Sequence, residues 1–140
     1  MSTSAAILEV DTLHAVFPTP AGVVKAVNGV TFAVGPGEMV GLVGESGSGK
    51  SATVRSVIGL LPDPGKVVGG SIRFVGQELV GASGKDLRRI RGKQIGFVGQ
   101  NPFASLNPIL SIEQQFHNAL RAHRPATRVE SRALARVRLA

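Results

Sequence analysis

A short apolar run, Met39-Val40-Gly41-Leu42-Val43, leads directly into the octapeptide Gly44-Glu45-Ser46-Gly47-Ser48-Gly49-Lys50-Ser51. The octapeptide fits G-x-x-x-x-G-K-[ST], a pattern that dictates backbone shape as much as chemistry. Its glycines admit tight turns that other residues resist, so successive amides face one hollow. A helix opening at the end of the octapeptide adds its unpaired amides and the positive end of its dipole. Such a hollow suits phosphate groups. Lys50 has the reach to meet the outer phosphates, and the Ser51 hydroxyl is of the type that ligates Mg²⁺. Beyond the octapeptide, Val54, Val57, Ile58 and Leu61 recur at helical spacing. The expected order is a buried parallel strand over Met39–Val43, then the glycine loop, then a helix.

The length of 140 residues suits one domain with one core. Apolar side chains make up 43% of it, which argues against general disorder. No apolar run approaches the roughly 20 residues of a membrane-crossing helix. Met1 to Asp11 lacks the basic cluster and apolar stretch of a signal peptide. The absence of cysteine excludes disulfides and thiolate metal sites, and points to a reducing compartment. His14, His117 and His123 share no metal-like spacing and read as surface or half-buried residues.

The net charge of +7 is unevenly spread. Residues 1–84 carry five basic and six acidic side chains, a net of −1, whereas residues 85–140 carry eleven basic and three acidic, a net of +8. The basic character therefore lies away from the glycine loop. Solvated arginine-rich helix faces account for it, and a nucleic-acid or membrane-complex surface is the sharper alternative. With six Phe and no Tyr or Trp, the chain has few rings on which to stack single-stranded bases.

Ile7–Val10, Leu13–Phe17, Val23–Val27 and Val30–Val34 read as strands, with a loop at Pro18–Gly22 and a tight turn at Gly35-Pro36-Gly37. Residues 62–70 read as a loop, Ser71–Val75 as a strand and Gly76-Gln77 as a turn. Lys85–Arg91 reads as a charged helix and Ile95–Val98 as another apolar strand. Ser111–Gln114 spells a capping box, followed by the stripe Ile112, Phe116, Ala119 and Leu120. After Pro125, Thr127–Glu130 spells a second box opening a helix expected to turn Val129, Ala133 and Val137 inward. No internal repeat is visible.

Taken in order, these pieces resemble the N-terminal part of an ABC-transporter ATP-binding subunit, of the type that imports dipeptides, oligopeptides or nickel. Val27-Asn28-Gly29-Val30-Thr31-Phe32 with Gly35-Pro36-Gly37-Glu38 resembles the family's antiparallel strand and turn, and Gly44–Ser51 its Walker A segment. Ile95-Gly96-Phe97-Val98-Gly99-Gln100-Asn101-Pro102 resembles its Q-loop, and Phe103-Ala104-Ser105-Leu106-Asn107-Pro108 the continuation found in the peptide-importing subfamily. The resemblance covers nearly the whole chain and implies an α/β P-loop NTPase fold with an ABC-type antiparallel β-subdomain. Residues 1–102 would form that subdomain and the P-loop core, and residues 103–140 the start of a helical subdomain within which the sequence stops.

The resemblance also assigns roles. Gly44, Glu45, Ser46, Gly47, Ser48, Gly49, Lys50 and Ser51 would hold the phosphates of ATP, and Ser51 and Gln100 would hold Mg²⁺. Lys50 would neutralise charge during phosphoryl transfer, and Gln100 would sense the γ-phosphate. Phe17 stands where the family places the aromatic that stacks on adenine; read from the sequence alone, a core Phe at a strand end fits as well. Implied partners are membrane permease subunits and a second ATP-binding subunit, as homo- or heterodimer, at the cytoplasmic face of the inner membrane; no nucleic acid is expected.

The sequence contains no L-S-G-G-Q segment, no strand ending in the Walker B Asp and Glu, and no switch histidine. His117 and His123 lie on or beside the Ser111 helix. The expectation is a fragment or a short gene product that is poorly soluble or partly unfolded, binds ATP weakly and does not turn it over. Three readings remain open at this point: the motor subunit of an importer, a nucleotide-binding or partner-docking module without hydrolysis, and a soluble ABC-type protein acting on nucleic acid. The stretch at 97–108 argues against the third.

Overall fold

A computed structural model describes residues 6–139. Met1–Ala5, part of the stretch considered for a leader, and Ala140, where the last helix was expected to end, lie outside them. The chain divides into two compact units, Met1–Ser83 and Gly84–Ala140.

The first unit is built on an antiparallel sheet. Strands β1 (Leu8–Thr19) and β2 (Gly22–Val34) form a long hairpin, β3 (Lys66–Phe74) pairs with the other edge of β1, and β4 (Gln77–Glu78) completes the order β2-β1-β3-β4. Pro20-Ala21 supplies the hairpin turn, and Thr19 Oγ1 closes it on the Gly22 carbonyl at 2.8 Å. The two expected strands at Ile7–Val10 and Leu13–Phe17 are one strand with a bulge between Val10 and Leu13. The bulge restores phase: Val10, Leu13 and Ala15 all reach the core.

Helix α1 (Lys50–Val57) lies against β1, β2 and β3. Its buried residues are Thr53, Ser56 and Val57, joined by Ile58 at the C-cap, while Val54 is exposed. Val57 and Ile58 thus face the core as their spacing predicts, whereas Thr53 takes the buried place expected of Val54. Hydroxyls can be buried here because each is satisfied locally: Thr53 Oγ1 donates to Gly49 O at 3.0 Å and Ser56 Oγ to Ala52 O at 2.7 Å. The helix ends in a Schellman motif, with Leu60 N donating to Arg55 O and Gly59 N to Ser56 O.

Two expected elements come out differently in this unit. The 62–70 segment is loop only as far as Gly65; β3 begins at Lys66, because Val67 pairs with buried Ala15. Gly69 and Gly70, within that expected loop, sit opposite the irregular stretch of β1. Met39–Val43 forms no ladder among the described residues. A parallel strand exists only through the amides and carbonyls of its neighbours, and none of the described strands of this unit pairs with it. Met39 and Val43 are each 96% exposed as a result.

The second unit contains α2 (Gly84–Ile90), a 3-10 turn at Pro102–Ser105, α3 (Ile112–Arg121) and α4 (Arg128–Leu139). Ile95–Val98 is likewise not a strand: Ile95 makes an isolated bridge to Arg91, and Val98 is exposed. The Ser111 capping box is complete, with Ser111 Oγ accepting from Gln114 N and Gln114 Oε1 from Ser111 N. At Thr127 the hydroxyl accepts from Glu130 N at 3.2 Å, but the Glu130 carboxylate turns to Arg124 at 2.6 Å. Arginine holds that carboxyl below its usual range, which the weaker pull of burial does not offset.

Helices α3 and α4 pack together through polar groups. Ser131, 1% exposed, donates to Thr127 O and so accepts from His117 Nδ1–H, both at 2.8 Å. Arg132 makes a two-pronged contact with Glu113 at 3.0 and 3.1 Å. This pairing turns Ser131 and Ala135 inward, so Val129, Ala133 and Val137 point outward, opposite to the expectation from apolar spacing.

Candidate nucleotide-binding site

The octapeptide closes on itself at the N-terminus of α1. Ser48 N donates to Glu45 O at 3.2 Å, forming a turn across Ser46-Gly47. The Lys50 ammonium folds back over that turn, donating to Gly44 O at 2.7 Å, Glu45 O at 2.6 Å and Ser48 Oγ at 3.2 Å. All three of its protons are therefore matched by acceptors on the loop. A cation centred among loop carbonyls marks the position where the octapeptide concentrates its polar groups.

Gly49 caps α1 in the left-handed region, with φ 89°, and no side chain caps the helix. The amides of Gly47, Gly49, Lys50 and Ser51 make no backbone hydrogen bond among the described residues. These unclaimed donors and the dipole end of α1 make the loop receptive to an anion. The Ser51 hydroxyl, in the first turn and exposed, has no hydrogen-bond partner among the described residues, so it is available to a ligand or cation.

What positions the loop is a feature the sequence reading missed. In the β1–β2 ladder Ala15 faces Val27 and Val16 faces Lys25, leaving Ala26 as an extra, unmatched residue. Its carbonyl approaches Gly49 so closely that a Cβ there would lie 2.0 Å from the Ala26 oxygen. The glycine is thus required twice, by its φ and by this contact. Only an irregular Ala15-Val16/Lys25-Val27 pairing could have signalled it, and alternation in Val23–Val27 does not disclose an unpaired residue.

Phe17 belongs to the same unit. It faces Val24 across the ladder, two residues before Ala26, which puts its Cα roughly 8 Å from that of Ala26 by ordinary strand geometry. Its ring is half-buried and rests against Gly65. Gln100 lies in the second unit, exposed on a bend after Gly99. The structure therefore brings Phe17, Gly44–Ser51 and α1 together within one unit and describes Gln100 separately. Among the described residues there is no cluster of three His, Asp or Glu able to hold a metal ion, and no helix long and apolar enough to cross a membrane.

Comparison with known proteins identifies the family. The ABC transporter family model matches residues 27–139. The oligopeptide transport ATP-binding protein OppD of Mycobacterium tuberculosis is 44% identical over 119 residues, covering 85% of this chain and 19% of that protein. OppD of Haemophilus influenzae is 44% identical over 118 residues, covering 84% and 36%. OppD of Salmonella typhimurium is 40% identical over 125 residues, covering 89% and 37%. The chain thus spans between a fifth and two fifths of these relatives. Among solved structures, the dimeric bacterial ABC transporter cassette MJ0796 superposes with a TM-score of 0.72 at 23% identity, over 86% of this chain and half of that one. The same cassette solved in a post-hydrolysis state with ADP and Pi gives the same score. The fold is α/β with an antiparallel sheet, as expected, and is that of the ABC cassette. On the breadth of the family match, the chain belongs to the ABC transporter family.

Proposed function

We propose that this chain forms the phosphate-gripping part of an ATP-binding subunit that drives uptake of peptides. The observation that carries the reading is the closed octapeptide: three loop acceptors gather the Lys50 ammonium at the mouth of α1, with the amides of Gly47, Gly49, Lys50 and Ser51 left unclaimed. When a nucleotide binds, its β- and γ-phosphates take over as partners of Lys50, and the amides of Gly47, Gly49, Lys50 and Ser51 donate to the same oxygens. Ser51 fits a Mg²⁺ ligand because its hydroxyl is exposed and uncommitted, and Gln100 is the second oxygen donor by its place in the family pattern. Bound Mg²⁺ would supply charge neutralisation to the phosphates. Phe17 offers its ring to adenine from the neighbouring strand. Relatives named oligopeptide transport ATP-binding proteins support peptides as cargo, and the dimeric cassette supports pairing with a second ATP-binding subunit. Permease subunits at the cytoplasmic face of the inner membrane complete the assembly in this reading, with hydrolysis coupled to transport.

The test is calorimetric titration of the chain with MgATP. Wild type is expected to bind and Lys50→Ala to lose at least tenfold in affinity, from the removal of a charge-assisted contact to phosphate. Equal affinity of the two proteins overturns the assignment.

A further inference from the structure

The loop before β3 approaches Phe17 more closely than any other glycine-bearing segment described. A Cβ built on Gly65 would lie 2.5 Å from Phe17 Cε1 and 2.7 Å from Cζ. Both contacts fall on one corner of the ring, so the Gly65 backbone is the surface against which the ring is seated. That backbone is itself held: Gly65 N donates to Pro62 O at 2.8 Å, closing the Pro62–Gly65 turn. Immediately after it, Lys66 pairs with Val16, the neighbour of Phe17, so turn and ring are anchored to adjacent rungs of the same ladder. Phe17 is thereby fixed from two sides, by Val24 in β2 and by Gly65 at the start of β3.

From this we infer that Gly65 is a positioning residue for the base of the nucleotide: by leaving room for the Phe17 ring and backing one edge of it, it sets the orientation in which the ring meets adenine. The inference rests on the nucleotide-site reading above and adds to it an element, the Pro62–Gly65 turn, that lies outside the phosphate loop in sequence. A Cβ at position 65 would meet the ring at Cε1 and Cζ and the Pro62 oxygen at 2.8 Å, and the two closest contacts are with the ring, so accommodating it displaces Phe17 from its seat. The consequence is specific. The base loses its stacking partner, while the phosphates keep the octapeptide, Lys50 and the α1 amides.

The experiment measures the affinity of wild type, Gly65→Ala, Phe17→Ala and the double variant for two probes, MgATP and magnesium tripolyphosphate. Tripolyphosphate carries the phosphates without a base, so it reports the octapeptide alone. Gly65→Ala is expected to weaken MgATP by about tenfold, the usual scale for losing one base–aromatic stack, and to leave tripolyphosphate within about twofold. In the Phe17→Ala background the Gly65→Ala change is expected to cost nothing further for MgATP, since the ring it displaces is gone. Equal weakening of both probes by Gly65→Ala would mean that the turn matters only to folding, and overturns the inference. A full additional loss in the Phe17→Ala background, which keeps the 2.8 Å approach to Pro62 O, overturns it as well. Failure of wild type to bind either probe defeats the nucleotide-site reading itself and the inference with it. Tripolyphosphate binding with no effect of Phe17→Ala on MgATP defeats the inference and leaves the phosphate loop standing.

Discussion

Replacing Gly49 by alanine tests how the loop is held against the sheet, and Gly47→Ala provides its internal control. Both glycines lie in the left-handed region, at φ 89° and 81°, so both substitutions carry the same conformational cost, about 1–2 kcal/mol. Only one meets an obstacle. At Gly47 the added methyl has nothing within 4 Å, whereas at Gly49 it lies 2.0 Å from the Ala26 oxygen. A side chain could swing aside, but this is a backbone carbonyl at a bulge between two ladder pairs, so loop or strand has to shift by about an ångström. Forced shifts of that kind cost about 1–3 kcal/mol. Gly49→Ala is therefore expected to destabilise the first unit by about 2–5 kcal/mol and Gly47→Ala by about 1–2 kcal/mol. Equilibrium urea unfolding with unchanged m-values reads the difference. Equal destabilisation by the two substitutions would refute the argument that the Ala26 bulge seats the loop.

Ser131→Ala removes the hydroxyl that both accepts from His117 and donates to Thr127 O, and is expected to lower the stability of the second unit by about 1–3 kcal/mol, seen as a lower midpoint in thermal unfolding. Gln115 pairs its side-chain amide with both Asn107 N and Asn107 O, at 2.9 and 3.1 Å, and also with Leu110 O. Gln115→Ala should release the Asn107–Leu110 turn, accelerating hydrogen exchange at the Asn107 amide by tenfold or more, for a loss of about 1–3 kcal/mol. For Glu78, burial raises the carboxyl pKa but is outweighed by hydrogen bonds from Ser71 and from the amides of Ile72, Val80 and Leu79, leaving it below the ordinary value. A depressed carboxyl contributes stability that is complete above its unfolded pKa and disappears as pH falls through the folded one. Acid titration of unfolding should thus show a loss of stability below about pH 4.5 that is smaller in Glu78→Gln. An identical acid dependence in the variant would contradict the network.

The shape of the loop at the mouth of α1 was legible in the sequence because the octapeptide is local: its glycines, lysine and serine lie within eight consecutive residues. The hairpin and the Ser111 capping box were legible for the same reason. What depends on partners was not. Met39–Val43 has a strand's composition, yet a ladder needs neighbouring backbone that composition does not reveal. The inward face of α4 was misassigned because a serine satisfied by His117 and Thr127 O is buried in place of a valine, and apolar periodicity has no means of seeing that. The Ala26 bulge, which makes Gly49 obligatory, and the Gly65 seat of Phe17 both arise from long-range register between strands.

Amide-resolved NMR of the chain during titration with MgATP most directly tests the proposal that the octapeptide grips phosphate. The largest shift changes are expected at the backbone amides of Gly47, Gly49, Lys50 and Ser51, with smaller ones around Phe17, and Lys50→Ala should abolish them. Saturable changes concentrated elsewhere, with these four amides unmoved, would contradict the account.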